Sequence, residues 1–179
     1  MPPRTKKTRT LKAQVDAEFL TAHAVNIVML FIGIGIIYWI GSASIKAQET
    51  CKFQTGVNCQ EYALSTQGLF LKLWYAYGKP IQVMDVACTG IPIVKEGVVN
   101  FTRAGTGCHN SSLSIHIRNG QSGLISIPQY GIKCCDDKGI AISEKEAGKQ
   151  YIGKLYVKYE QEGKTRVTIG DLVTTVERG

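Results

Sequence analysis

The chain has 179 residues, with 21 Lys and Arg against 14 Asp and Glu, for a formal net charge of +7. That length holds one ordinary domain plus an appendage. The positive charge is crowded at the start, and no basic stripe with interleaved aromatics follows it, so nucleic-acid binding is a weak reading.

Residues 1–13 read as a basic leader. Arg4, Lys6, Lys7, Arg9 and Lys12 precede any acid; without them 16 basic and 14 acidic side chains remain, a balance of +2. Beside an apolar span, such a tail marks the cytoplasmic side. A secretory signal carries its apolar region before the cleavage site. Here the order is reversed. The processing point, between Ala13 and Gln14, comes before the apolar run, so cleavage there keeps that run in the mature chain.

Residues 14–47 are predicted to form one long hydrophobic helix. No proline occurs between Pro3 and Pro80. Asp16 and Glu18 suit a helix N-terminus, and Lys46 suits the other end. Roughly 34 helical residues extend about 50 Å, more than the about 30 Å hydrocarbon core of a bilayer. The continuous apolar part, Ile27 to Gly41, is short for a span; adding Phe19 to Val25 lengthens it and buries His23 and Asn26. Gly33, Gly35 and Gly41 lower helix propensity but permit close backbone approach. No strict GxxxG is present, which disfavours simple membrane dimerisation.

Residues 48–179 change to a period of two. Leu69, Leu71, Leu73 and Tyr75 alternate with Phe70, Lys72, Trp74 and Ala76. Leu113, Ile115 and Ile117 alternate with Ser114, His116 and Arg118, and Leu155, Val157 and Tyr159 with Tyr156, Lys158 and Glu160. These are half-buried strands. Turns fall at Gly78–Pro80, Asn119–Gly123 and Glu160–Lys164. The last opens a hairpin into Thr165–Val176, in which Gly170 reads as a bulge. The expected fold is α+β: the N-terminal helix followed by an antiparallel, Ig-like β-sandwich.

All six cysteines, Cys51, Cys59, Cys88, Cys108, Cys134 and Cys135, follow the apolar run. An even count on one side of it indicates an oxidising compartment. Two N-glycosylation sequons, at Asn100 and Asn110, lie on the same side. Cys51 and Cys59 bracket a short step containing Gly56 and read as a local staple. Cys134 and Cys135 are adjacent and point to opposite faces if extended. Each is left to pair with Cys88 or Cys108; Cys88–Cys134 with Cys108–Cys135 is favoured, and the crossed pairing stays open. Metal binding through Cys108-His109 and Cys134-Cys135 is the rival reading, but it lacks CxxC spacing and a reducing setting.

Lys12-Ala13-Gln14, then Glu18-Phe19-Leu20 and the apolar helix, resemble the archaeal type IV pilins, a class that includes archaeal flagellins and carries class III signal peptides. Glu18 is the fifth residue after the cut, where this family commonly has glutamate; Ala13 stands where glycine is usual, and Asp16 is an additional acid. Cys51 to Cys59 and the run Gly148 to Tyr159 also look like pilin-like archaeal proteins. The resemblance implies a prepilin peptidase that cuts after Ala13, and a helix held in the cell membrane as a precursor. An assembly ATPase and a membrane platform protein would then draw subunits into a homopolymeric extracellular filament. Glu18 and Phe19 would serve assembly; Glu18 either pairs with the new amino group of Gln14 on a neighbour or caps the helix near the lipid headgroups. Surface adhesion is the expected role; a monomeric membrane-anchored binding domain is the alternative.

The physics agrees with the resemblance. Burying one Leu or Ile side chain contributes about 1.5–3 kcal/mol, but lipid is apolar too. The gain from membrane to filament must come from close packing and paired polar groups. No nucleophile elbow, phosphate loop or zinc-protease motif occurs, Asp136-Asp137 beside Lys138-Gly139 reads as a charged turn, and His116 lies on a polar strand face. Neither catalysis, nor a metal or cofactor, nor a specific nucleic acid is expected.

Overall fold

The computed structural model describes residues 23–39, 47–126 and 131–179. The chain divides into two compact units, Met1–Lys46 and Ala47–Gly179. In the first, residues 23–39 form helix α1. The remainder of the helix expected over residues 14–47 lies outside the described residues, except Ala47, which is not helical. Ala47 belongs to the second unit, where its N–H donates to Gln150 Oε1 at 3.0 Å.

The second unit is built of strands: β1 (Thr50–Phe53), β2 (Asn58–Ser65), β3 (Leu69–Tyr75), β4 (Ile81–Thr89), β5 (Val94–Lys95), β6 (Val98–Val99), β7 (His109–Asn110), β8 (Ile115–Ile117), β9 (Gln121–Ile125), β10 (Cys134–Cys135), β11 (Gln150–Gln161) and β12 (Lys164–Glu177). The main sheet runs β10-β4-β11-β12-β2-β3-β9, with β1 beside β12, and β7 and β8 beside β4; β5 and β6 pair separately. It is not purely antiparallel, as the period-two pattern had led one to expect. β10 runs parallel to β4, and the end of β12 runs parallel to β2. Side-chain alternation reports which face is buried, not the direction of the neighbouring strand.

One large cluster draws on strands from both halves of this path: Leu64 and Leu71 from β2 and β3, Val83 from β4, Leu155 from β11, Leu172 from β12. The alternation of Leu69–Tyr75 holds, with every odd-numbered residue buried. On the other face of β4 and β11 lies a second cluster of Ala87, Ile93, Phe101, Ala104, Cys108, Cys135 and Tyr156. Its cover comes from the long connection after β4, including the 3₁₀ turn Phe101–Ala104. Tyr156 therefore does not share the solvated face of Lys158 and Glu160; it is 1% exposed.

Two turns share one chemistry. Glu162 and Gly163, at φ 54° and 72°, join β11 to β12; Glu96 and Gly97, at φ 53° and 79°, join β5 to β6. Two successive left-handed residues make the turn whose twist matches a two-residue hairpin. Gly170 is not a bulge: it stays in register opposite Leu155. A side chain there would meet the Phe53 ring at 2.8 Å and the Lys52 carbonyl at 2.9 Å, so Phe53 of β1 fills the space that Gly170 leaves open. Register shifts fall instead between Lys158 and Tyr159, where β11 pairs with β4, and between Cys59 and Glu61, where β2 pairs with β3.

Candidate functional site

Ala13, Gln14, Glu18 and Phe19 lie outside the described residues. Of the predicted N-terminal helix the structure describes α1. Its large apolar side chains are exposed on every side, from Val25, Ile27 and Val28 through Phe31, Ile34 and Ile37 to Tyr38 and Trp39. A helix that is apolar all round belongs in lipid or among other helices. Nothing stands within 4 Å of where a side chain would begin at Gly33 or Gly35. Among the described residues no helix is long and apolar enough to cross a membrane, so the expected transmembrane span is not shown. The flanking residues needed to lengthen it, Phe19–Ala22 and Ile40–Gly41, lie outside the described range.

The six cysteines form three bonds: Cys51–Cys59, Cys88–Cys134 and Cys108–Cys135. Cys51–Cys59 ties β1 to β2 across the loop that contains Gly56. Cys88 and Cys134 sit in the main cluster, while Cys108 and Cys135 sit in the second. With all four in bonds, Cys108, Cys134 and Cys135 offer no thiolate to a metal. Tyr151 connects the two bonds. Its hydroxyl donates to the Cys135 carbonyl at 3.0 Å and lies 3.6 Å from Cys88 Sγ. Burial raises the pKa of this phenol far above its usual value.

The two sequons differ in setting. Asn100 is exposed and caps the 3₁₀ turn; its Oδ1 accepts from Thr102 N at 3.2 Å and from the Thr102 hydroxyl at 2.6 Å. Asn110 is half-buried in β7, and its Oδ1 accepts from Ser112 N at 2.8 Å. Asp136 organises a turn, its Oδ1 accepting from the backbone N–H of Lys138 and Ile140.

Two features escaped the sequence reading. Asp85, 6% exposed in β4, lies with Oδ1 3.8 Å from His109 Nδ1, and neither atom has a hydrogen-bond partner. Burial raises the Asp85 carboxyl above the usual carboxylate range, opposed by His109, by Lys158 and by the Val86 backbone N–H. An acid among the apolar residues of β4 was the available signal. The second is a cavity of about 370 Å³ lined by Tyr75, Tyr77, Tyr159, Gln161 and Arg166 with the loop Gln54–Gly56. Its sequence trace is slight: Tyr75 and Tyr77 at a strand end, and Tyr159 and Arg166 spaced evenly about the Glu162-Gly163 turn.

No protein-family model, curated protein or solved structure matches the chain.

Proposed function

We propose that the chain is the structural subunit of an extracellular filament of the archaeal type IV pilus kind. The observation that carries this reading is α1, exposed and apolar on all sides, in a chain whose other unit has its own core and three disulfides. Such a helix needs a non-aqueous surrounding. Lipid supplies it before assembly, and copies of the same helix supply it afterwards. The leader of residues 1–13 is removed between Ala13 and Gln14 by a prepilin peptidase. An ATPase and a platform protein drive polymerisation, with Glu18 and Phe19 at the contacts between subunits.

The strand unit, an Ig-like sandwich in this reading, forms the outer surface, and attachment to surfaces is its role. A common cluster reached from both halves of the sheet supports two packed layers. The disulfides suit an oxidising exterior. Asn100, exposed on its turn, suits glycan attachment better than half-buried Asn110.

Filaments sheared from cells test the proposal. Imaging together with mass spectrometry is expected to find this chain as the main component, beginning at Gln14. Recovery of all the protein as detergent-extracted monomers would overturn it, in favour of a membrane-anchored binding domain.

A further inference from the structure

We infer that the cavity beside the β11–β12 turn is a binding site for a carboxylated sugar of a surface glycan. This goes beyond the filament reading and does not depend on it.

The site is held in place from below. Tyr75 and Tyr159 are 2% and 5% exposed and form its base. The Tyr75 hydroxyl donates to the Tyr77 carbonyl at 3.0 Å and accepts from Gln161 Nε2 at 2.6 Å. The same amide reaches the Lys79 carbonyl at 3.3 Å. On the far wall, Gly56 has φ 90°, and a side chain there would come within 2.6 Å of the Tyr159 hydroxyl. The loop backbone thus rests on that phenol, and the Thr168 hydroxyl donates to the Thr55 carbonyl. The side chains that fix the cavity are already engaged, so little order remains to be imposed on binding.

What is left exposed has one chemistry. Tyr77 is 61% exposed and meets Tyr75 edge-on, with ring centroids 5.9 Å apart. An aromatic ring with a free face takes the C–H face of a sugar ring, the amphipathic use of such side chains. Arg166 is exposed and stands opposite Tyr159 across the hairpin, where its charge opposes the rise that burial gives the Tyr159 phenol. Among the described residues Arg166 makes no ion pair, whereas Lys79, whose carbonyl meets Gln161, is paired with Glu162. A guanidinium fork matches a carboxylate in a bidentate manner. The Gln54 amide adds a planar group of the kind that hydrogen-bonds hydroxyls. An aromatic platform, a guanidinium and an amide around a cavity of this volume describe a sugar acid better than an apolar ligand or a peptide.

Ala47 is anchored on Gln150, at the start of β11, while the cavity lies at Gln161, the other end of that strand. Those ends are about 36 Å apart at strand rise.

The test uses the full chain in detergent micelles, titrated with a hexauronate from alginate and, separately, with an uncharged dextran hexamer. Saturable binding of the hexauronate is expected, with saturation transferred from tyrosine ring protons to sugar protons in NMR. Tyr77→Ala and Arg166→Gln should each weaken it at least tenfold while the thermal midpoint stays unchanged. Arg166→Lys should weaken it as much as Arg166→Gln, since the fork and not the charge makes the contact. Equal binding of dextran, full binding by Arg166→Lys, indifference to Tyr77→Ala, or no saturable binding would each overturn the assignment. Because the titration needs no assembled filament, failure here leaves the filament proposal standing, and loss of filaments leaves this site standing.

Discussion

Cys134 and Cys135, neighbours in sequence, serve opposite faces of the sheet. Cys134 bonds Cys88 inside the main cluster, and Cys135 bonds Cys108 beneath the connection that covers Tyr156. One short strand thereby staples both layers of packing. The two bonds close sequence intervals of 46 and 27 residues.

The two bonds are expected to fail differently. Loss of a native disulfide typically costs about 2–5 kcal/mol. Cys88→Ala with Cys134→Ala should lower the midpoint of the whole strand unit in one cooperative transition. Cys108→Ala with Cys135→Ala should first release the cover over Tyr156, giving fast amide exchange and proteolysis within residues 99–108 while β3 and β12 remain protected. Hydrogen exchange read by mass spectrometry distinguishes the two. Uniform loss of protection in both variants would contradict the division into two clusters.

Gly170 and Phe53 form a second tight relationship. Adding one methyl group where the Phe53 ring and the Lys52 carbonyl crowd in forces a local shift, and overpacking of this kind costs about 1–3 kcal/mol. Gly170→Ala should therefore lower stability despite its better strand propensity. Combining it with Phe53→Leu should recover part of the loss, as denaturant unfolding of the single and double variants would show. Additive losses would mean that the two residues do not share the space.

The period of two in Leu69–Tyr75 was legible because β3 buries one face and wets the other. At Val86–Thr89 and at Leu155–Val157 that signal vanishes, since both faces are covered. The cover for Tyr156 comes from Phe101 and Ala104, far along the chain, and no local pattern announces it. Gly170 was misread for a related reason: a glycine within a strand signals either a bulge or a close neighbour, and Phe53 lies too distant in sequence to decide which. The Tyr77 cavity brings three separate stretches together and is visible only once they meet.

Asp85 makes stability depend on pH with an unusual sign. Its folded-state pKa is raised by burial, against the opposing influence of His109 on β7 and Lys158 on β11. Between the ordinary carboxylate value and the raised one, the folded chain keeps a proton that the unfolded chain releases. This group's contribution is complete below the unfolded value and is lost as pH rises through the folded one. Asp85→Asn removes the titration and fits the same space. Relative to wild type it should gain stability from about pH 4 upward, reaching on the order of 1 kcal/mol at neutral pH. Melting curves of both proteins across pH 4 to 8 check this; an advantage that shrinks as pH rises would contradict it.

Gly35 distinguishes the proposed filament subunit from a simple membrane anchor. At this position α1 has open space where a side chain would begin. Lipid accommodates a larger apolar residue there, and Leu is more favourable than Gly in both helix propensity and transfer to the bilayer. Helices packed against one another do not accommodate it, because small residues are what allow their backbones to approach. Gly35→Leu should leave membrane insertion intact or improved while lowering the yield of sheared filaments at least tenfold. Insertion is read from the detergent-extracted membrane fraction and assembly from the filament fraction of the same cells. An unchanged filament yield would place Gly35 away from the helix contacts. Loss of both fractions would mean that α1 itself no longer forms. Only a fall confined to the filament fraction fits a helix that moves from lipid into a packed core of its own copies.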